Sequence, residues 1–176
     1  MKTLLDHSLL QITLNRLAHQ LVENHLNFEE TVIIGLQPRG IFFSDRIVQL
    51  LQQIPGQRQL NYGKLDITFY RDDIHHGNQL QMPAATDINF SVENRKVILV
   101  DDVLHTGRTI RAAMDALLTF GRPQKVELMV LIDRRFSREL PVQPDYTGMS
   151  VDTLFAQKVK VKWQEKDGQD EVILVD

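Results

Sequence analysis

The sequence contains no cysteine, and this absence excludes several kinds of site at once. Disulfide bridges, thiolate metal sites and cysteine nucleophiles all need a residue that the chain does not have. Long hydrophobic runs are also missing, because no segment approaches the ~20 apolar residues that span a bilayer. The sequence therefore predicts no membrane partner.

The chain also lacks a strong charge of either sign and a recognisable export signal. Residues 1–6 have neither a long apolar core nor a small-residue cleavage site, so we expect a cytoplasmic location. The net charge of −3 disfavours a nucleic-acid binder that relies on overall charge. A local basic face stays possible, and its scattered candidates are Arg16, His19, Arg122 and Lys125.

Length and composition indicate an ordinary globular protein. The 176 residues are enough for one domain with a sizeable core and few for two. Hydrophobic residues make up 43% and charged residues 24%, as is typical of such domains. We expect a single domain over residues 1–176.

Alternating helical and strand patterns predict an α/β fold. Asp6 or Ser8 could cap a first helix, and residues 41–51 form a second amphipathic pattern. Strands are expected over residues 31–36, 64–70, 97–100 and 125–132. Near the end, Val159, Val161 and Trp163 alternate in step with Val172 and Leu174 across Asp167-Gly168, which predicts a C-terminal β-hairpin. The whole pattern favours a doubly wound, mainly parallel sheet flanked by helices.

The most informative segment runs from residue 97 to residue 109. An apolar run leads to Asp101 and Asp102, and a polar turn follows. Apolar residues then recur at helical spacing, at Ile110, Ala113, Met114, Leu117 and Leu118. Because ligands of open α/β sheets bind beyond the carboxyl ends of the strands, we expect the two acids to project into that crevice. Two carboxylates there suit a vicinal diol.

The polar turn suits a phosphate monoester. It offers successive backbone N–H groups, two hydroxyls and the positive end of a helix dipole, from His105, Thr106, Gly107, Arg108 and Thr109. A diol and a phosphate monoester are the two ends of ribose 5-phosphate. Receiver domains also place adjacent acids after a strand, but they have no reason to follow them with residues 106–109.

Residues 97–109 resemble the signature of the type I phosphoribosyltransferases. The resemblance implies that Asp101 and Asp102 hold the ribose hydroxyls of phosphoribosyl pyrophosphate, directly or through Mg²⁺. It implies that the loop from His105 to Thr109 holds the 5-phosphate. It also implies a small hood over the site.

Two more segments gain a role through this resemblance. Residues 35–40 could be a plain connecting turn, but the matching turn of the family holds pyrophosphate, which makes Arg39 and Gly40 candidates. Pro38 departs from the family pattern, and the sequence leaves open whether the peptide before it is cis. Residues 71–86 match a lid that closes over the donor, so Arg71 is a candidate for the leaving pyrophosphate. The histidines of this lid, His75 and His76, lack a third metal ligand nearby.

The resemblance narrows to the PyrR family, the pyrimidine-operon attenuation regulators with uracil phosphoribosyltransferase activity. Residues 65–73, 97–109, 138–141 and 145–148 carry it. It implies synthesis of uridine monophosphate and pyrophosphate from uracil and phosphoribosyl pyrophosphate. It also implies binding of a pyrimidine-operon leader RNA and a homo-oligomer. The loop after the strand over residues 125–132 should line the base, which makes Asp133 a candidate for base binding.

Departures from the pattern keep alternatives open. Purine-salvage enzymes carry an acid where this chain has His105, which disfavours the purine branch. Residues 133–138 form a loop one residue longer than expected, and residues 149–153 differ from the usual ending. The alternatives are a nucleotide-sensing RNA-binding regulator with weak or no catalysis, and a phosphoribosyltransferase for another base.

Overall fold

A computed structural model describes residues 1–56, 59–72, 85–154 and 156–176. The elements are, in chain order, β1 (Lys2–Leu5), α1 (His7–His25), β2 (Thr31–Leu36), α2 (Gly40–Gln53), β3 (Asn61–Leu65), β4 (Lys96–Leu104), α3 (Arg108–Leu117), β5 (Lys125–Arg135), β6 (Tyr146–Asp152), β7 (Lys158–Lys162), α4 (Gln164–Asp167) and β8 (Glu171–Val175). Short 3-10 helices lie at Thr68–Tyr70 and Leu118–Phe120. No helix within these described ranges is long and apolar enough to cross a membrane.

A five-stranded sheet of order β3-β2-β4-β5-β6 forms the centre of the fold. Each neighbouring pair in it is parallel. Its strands β2, β4 and β5 contain long apolar runs, and β2 is buried at every residue. Parallel strands need this composition because helices cover both faces of their sheet. The predicted doubly wound sheet is confirmed.

Helices pack on both faces of this sheet and divide the core into two layers. Helices α1 and α2 cover one face, where Leu14, Leu17 and Phe43 are fully buried. Helix α3 covers the other face with its small residues Ala112, Ala113 and Ala116. Asp6 caps α1 as predicted, since its Oδ1 accepts the Leu9 N–H at 2.9 Å. The helices cover the two faces of the sheet and not the ends of its strands.

A second, antiparallel sheet of order β1-β8-β7 forms what we call the hood. Strand β7 pairs with β8 in the predicted register, Val159 with Leu174 and Val161 with Val172. The prediction that the strands turn tightly at Asp167-Gly168 is wrong, because α4 and its flanking residues connect them. This longer connection is stabilised by Asp167 and Asp170, whose carboxylates accept the N–H groups of Trp163 and Gln164.

The third predicted strand is also displaced. Strand β3 covers Asn61–Leu65, whereas residues 68–70 form a 3-10 turn. Asp66 causes the break, because its Oδ1 accepts both the N–H of Thr68 at 3.0 Å and its hydroxyl at 2.6 Å. Such a side-chain turn competes with strand pairing. The alternation of apolar residues therefore predicted the wrong end of this strand.

Helix α3, which follows the signature loop, is shorter than the apolar pattern predicts. Two of the apolar residues in that pattern are exposed. Helix α3 ends at Leu117, and Gly121 follows the 3-10 turn. Ile110, Ala113 and Leu117 are buried as expected, but Met114 is 48% and Leu118 64% exposed. The buried stripe instead includes Ala112 and Ala116. Small residues allow the helix to approach the sheet closely, so the large side chains lie at the margin.

Candidate active site

The strand order creates a crevice at the carboxyl ends of β2 and β4. Strand β2 is followed by α2 on one face, and its neighbour β4 is followed by α3 on the other. Where two such connections leave in opposite directions, the sheet opens a space that binds ligands. The turns at residues 35–40 and 105–109 therefore meet at one place.

Asp101 and Asp102 lie inside β4, which corrects the prediction that the strand ends before them. The strand continues to Leu104, because Asp101 pairs with Val130 and Val103 with Ile132 of β5. Each aspartate is only 8% exposed. Successive side chains of a strand point to opposite faces. Asp101 consequently lines a cavity on the α3 side and Asp102 a second cavity under the hood.

The surroundings of the acid pair disfavour two negative charges. Burial raises the pKa of Asp101 well above its ordinary value, and the adjacent charge of Asp102 raises it further. The N–H of Asp102, which donates to Asp101 Oδ1 at 3.0 Å, and the charge of Arg71 oppose this only in part. Burial also raises the pKa of Asp102 against the attraction of Arg39. A cation or a pair of hydroxyl donors would relieve this unfavourable charge.

Arg39 joins the turn after β2 to the hood. Its Nε lies 3.5 Å from Asp102 Oδ2 and its Nη2 lies 3.6 Å from an Asp167 oxygen. The same guanidinium donates to the carbonyl of Val161 in β7. The peptide between Gln37 and Pro38 is cis. Arg39 is thus held at the crevice by three acceptors from two separate parts of the fold.

Gly40 brings α2 against the acid pair. A Cβ at this position would lie 2.8 Å from the carbonyl oxygen of Val100 and 3.0 Å from the Cα of Asp101. Both are backbone atoms of the central strand, so they cannot move aside easily. Only glycine permits this approach.

The loop between β4 and α3, residues 105–107, borders a cavity of about 280 Å³. The cavity is lined by Arg71, Asp101, Val103, Leu104, His105, Thr106, Gly107, Arg108, Thr109, Ile110 and Glu139. Gly107 has φ of 93°, a conformation that favours glycine. The structure therefore brings Arg71, one of the two acids and the whole predicted phosphate loop to one small space.

The Arg108 side chain is engaged by carboxylates at the rim of this cavity. Its Nη1 donates to Asp72 Oδ2 at 2.7 Å, and its Nε donates to Glu139 Oε2 at 2.7 Å. A phosphate at this loop would therefore rely first on backbone N–H groups and hydroxyls. His105 adds little positive charge, because burial and the charges of Arg134 and Arg138 lower its pKa against the pull of Glu139.

A larger cavity of about 690 Å³ lies between the acid pair and the hood. Its lining comprises Arg39, Asp102, Val103, Val159, Lys160, Val161, Lys162, Asp167 and Gln169. Strand β7 is the outer strand of the hood sheet, so one of its backbone edges has no strand partner there. The hood residues of this cavity were missed in the sequence, because a hairpin pattern does not reveal what its strands cover.

The predicted base-binding residue Asp133 lies in a strand and has a protein partner. Strand β5 continues to Arg135, so Asp133 and Arg134 belong to the strand and not to the loop. The Asp133 carboxylate accepts a hydrogen bond from Arg138. Arg134 is buried and donates to Thr153 Oγ1 and the carbonyl of Gln157. Residues 73–84, which contain most of the predicted lid, lie outside the described residues.

The donor set at the crevice suits a magnesium ion that is shared with a substrate. In the described part of the chain no three His, Cys, Asp or Glu side chains form a metal cluster. Mg²⁺ is commonly bound by one or two carboxylates together with substrate phosphates and water. Asp101 and Asp102 each supply one desolvated carboxylate, Asp101 at the loop cavity and Asp102 at the hood cavity. The residues present therefore fit the metal.

Comparison with known proteins identifies relatives of this arrangement. The phosphoribosyl transferase domain family matches residues 1–166. The bifunctional protein PyrR of Bacillus cereus is 42% identical over 174 residues, which cover 98% of this chain and 96% of that protein.

Solved structures share the fold at lower identity. The hypoxanthine phosphoribosyl transferase of Trypanosoma cruzi superposes with a TM-score of 0.74 at 17% identity, over 99% of this chain and 91% of that one. A Staphylococcus aureus hypoxanthine phosphoribosyltransferase gives 0.71 at 18% identity, over 97% and 90% of the two chains. At these identities the likeness concerns the fold and not the substrate.

Proposed function

The chain belongs to the phosphoribosyltransferases and, within them, to the PyrR family, and we propose that it transfers the phosphoribosyl group of phosphoribosyl pyrophosphate to uracil. The products are uridine monophosphate and pyrophosphate. The proposal is supported above all by one observation, the buried acid pair that borders both a phosphate-sized loop cavity and the hood cavity. The two cavities accommodate the two ends of the product.

The smaller cavity is assigned to the ribose 5-phosphate. Thr106, Gly107, Arg108 and Thr109 hold the phosphate through backbone N–H groups and hydroxyls at the start of α3. Asp101, which lines this cavity, accepts a ribose hydroxyl, and Asp102 contacts the ribose from the side of the hood cavity. Binding energy from the distant phosphate fixes the position of the reacting carbon.

The larger cavity is assigned to the base. Its volume of about 690 Å³ has room for a pyrimidine, and its lining includes Asp102, Arg39 and residues of β7. The outer edge of β7 offers backbone N–H and C=O groups that suit the oxo and N–H groups of uracil, apart from the carbonyl of Val161, which accepts from Arg39. Asp133, whose carboxylate is held by Arg138, stays a predicted base-binding residue at the neighbouring strand.

The reaction breaks the anomeric carbon–oxygen bond and forms a carbon–nitrogen bond. Positive charge develops on the ribose and negative charge on the leaving pyrophosphate. Arg39 and Arg71 stabilise the leaving group, and Asp101 and Asp102 orient the ribose and stabilise the charge that develops on it. Mg²⁺, held by either aspartate together with the substrate, would neutralise pyrophosphate charge. The hood limits access of water to the reacting carbon.

Pyrophosphate release in the presence of phosphoribosyl pyrophosphate and Mg²⁺ tests the proposal. Uracil is compared with hypoxanthine, guanine, adenine and orotate in one assay. Release with uracil alone is expected. Release with a different base would keep the phosphoribosyl site and reject uracil, and no release with any base would reject the enzyme.

A second function, binding of a pyrimidine-operon leader RNA, is favoured by the 42% identity to a relative that is named bifunctional. The scattered cations predicted for it are partly engaged within the protein. Arg16 donates to the carbonyls of Thr147 and Gly148, and Lys125 donates to Glu127. Retardation of the leader RNA that weakens with salt would support this function. Equal binding of an unrelated RNA would count against it. We also propose that the protein is a homo-oligomer and that it is located in the cytoplasm.

A further inference from the structure

One short segment after β5 takes up the carbonyl groups of the phosphate loop. Arg138 donates from Nη1 to the carbonyl oxygen of His105. The N–H groups of Glu139 and Leu140 donate to the carbonyl oxygen of Thr106 at 3.0 and 3.1 Å. Two successive carbonyls of the loop are thus bonded to the same segment, residues 138–140.

This arrangement fixes the direction of the N–H groups that face a phosphate. A peptide unit is planar, and its C=O and the following N–H point in opposite directions. The bond to His105 O therefore orients the N–H of Thr106, and the bonds to Thr106 O orient the N–H of Gly107. In the described residues neither N–H has a protein acceptor. Both are left available to an anion in the cavity.

We call the contacts of residues 138–140 with the phosphate loop the clamp. The clamp is anchored to β5. The second amino group of Arg138 donates to Asp133, which lies in β5 and is 13% exposed at its side chain. Leu140 and Val142 support the loop from behind, since a Cβ at Gly107 would lie 3.3 and 3.2 Å from their side chains. The planar guanidinium joins strand and loop in one fixed geometry, which a lysine ammonium cannot reproduce.

From this geometry we propose that Arg138, anchored by Asp133, is a positioning residue for the 5-phosphate. It touches neither the phosphate nor the base, and it acts by orienting the N–H of Thr106. The proposal rests on the proposed function, because it assumes that this loop binds the phosphate of a phosphoribosyl group. It gives the Asp133–Arg138 pair a role that does not require contact with the base.

The test compares Arg138→Lys with Arg135→Lys. Arg135 lies three residues away and pairs with exposed Asp152 at 2.7 Å, so its substitution controls for a lost ion pair in the same segment. Ribose 5-phosphate is the probe, and its binding is measured by calorimetry without catalysis. We expect Arg138→Lys to weaken binding about tenfold. In steady-state assays the KM for phosphoribosyl pyrophosphate should rise while the KM for uracil stays unchanged. Arg135→Lys should match the wild type in both.

The outcomes separate the clamp from the function. If the wild type binds ribose 5-phosphate and Arg138→Lys binds it equally well, the clamp is rejected and the enzyme is kept. If the wild type does not bind the probe, the phosphate site and the clamp both fail. A rise in the KM for uracil with unchanged ribose 5-phosphate binding would assign Arg138 to the base instead.

A second variant guards against misfolding of the first. Asp133→Asn keeps an acceptor for Arg138 but removes the anchoring charge, so it should weaken ribose 5-phosphate binding by a smaller factor. The double variant should be no worse than Arg138→Lys alone, because both substitutions act through one contact. Additive losses would contradict the clamp.

Discussion

Buried carboxylates lie at both ends of the same parallel sheet, and the two ends differ in how many hydrogen-bond donors the protein supplies to them. Asp101 and Asp102 lie near the carboxyl end of β4, and Glu127 lies near the amino end of β5. All three are less than 10% exposed. Burial alone therefore does not distinguish a site from a structural cluster.

Glu127 has a donor for each of its oxygens. Lys125 Nζ lies 2.6 Å from Oε1, and His25 Nε2 and the Tyr146 hydroxyl lie 2.7 and 2.8 Å from Oε2. Burial alone would raise the pKa of Glu127, but these hydrogen bonds outweigh it and hold the pKa below its ordinary value. A cavity of about 340 Å³ adjoins this cluster as well, yet the carboxylate already has its partners.

Among the described residues, the charged partners of the acid pair compensate its burial less fully than those of Glu127 do. The nearest guanidinium contact to Asp102 is 3.5 Å, and burial raises the pKa of both aspartates. Two charges without sufficient compensation destabilise a fold, and apolar residues would pack there at lower cost. The difference teaches that a ligand is expected where buried charge is uncompensated, not wherever a cavity occurs.

The largest expected effect is on catalysis at the uncompensated end. Asp102→Asn keeps the shape and removes the charge, so kcat should fall about 100-fold or more because ribose orientation and charge stabilisation are lost. The measurement is pyrophosphate release at saturating substrates. Asp152→Asn, an exposed aspartate paired with Arg135, is the control and should retain full activity. Unchanged turnover in Asp102→Asn would contradict the assignment of the acid pair.

The opposite result is expected at the compensated end. Glu127→Gln leaves His25 and Lys125 without their charged partner, and the free energy of unfolding should fall by about 3 kcal/mol. For a chain of this length that lowers Tm by about 10 °C. Thermal unfolding measures it, with exposed Glu23→Gln as the control. Turnover per folded molecule should be unchanged, and a large loss of kcat would show that the two ends are not independent.

The two ends should also differ in how their stability depends on pH. A carboxyl with a raised pKa holds its proton longer in the folded than in the unfolded chain. Between the ordinary pKa and the raised pKa of the folded state, the folded chain binds more protons than the unfolded chain. Stability therefore falls as pH rises through this range. Asp102→Asn removes this effect, so it should raise the free energy of unfolding by about 1 kcal/mol near pH 8 and by less near pH 4.5. Unfolding curves at the two pH values test it, and destabilisation at both would contradict the uncompensated charge.

The sign is reversed for Glu127. Its lowered pKa contributes stability that is fully present above the ordinary pKa of 4.5 and is lost as pH falls through the lower pKa of the folded state. Protonation of Glu127 should therefore contribute to the loss of stability of the wild type in acid. Glu127→Gln should flatten this part of the stability profile, whereas Asp102→Asn should leave it in place.

Much of the uncompensated end could be predicted from the sequence, because its signal is local. Two acids, a short polar loop and a helix start are contiguous, and the family resemblance follows from them. What could not be predicted is the continuation of β4 through Asp101, since acids ordinarily mark the end of a strand. Only pairing with β5 shows that both carboxylates are buried within the sheet.

The compensated end and the hood cavity had no local signal. His25, Glu127 and Tyr146 are separated by up to 121 positions and meet only through the packing of α1, β5 and β6. His25 belongs to no motif of the sequence, so its buried network could not be predicted. Similarly, Glu139 and Asp72 converge on Arg108 from distant segments. Contacts of this kind depend on the fold, which a periodic pattern describes only one element at a time.

The smallest expected effect on stability comes from Lys125, the exposed partner of Glu127. Lys125 is 58% exposed, so its bond to Glu127 Oε1 is weakened by solvent even at 2.6 Å. Lys125→Met should lower the free energy of unfolding far less than Glu127→Gln does. His25 and Tyr146 would still hold the other oxygen of Glu127. A loss as large as that of Glu127→Gln, measured by the same thermal unfolding, would mean that charge from the surface, and not the buried hydrogen bonds, keeps this carboxylate satisfied.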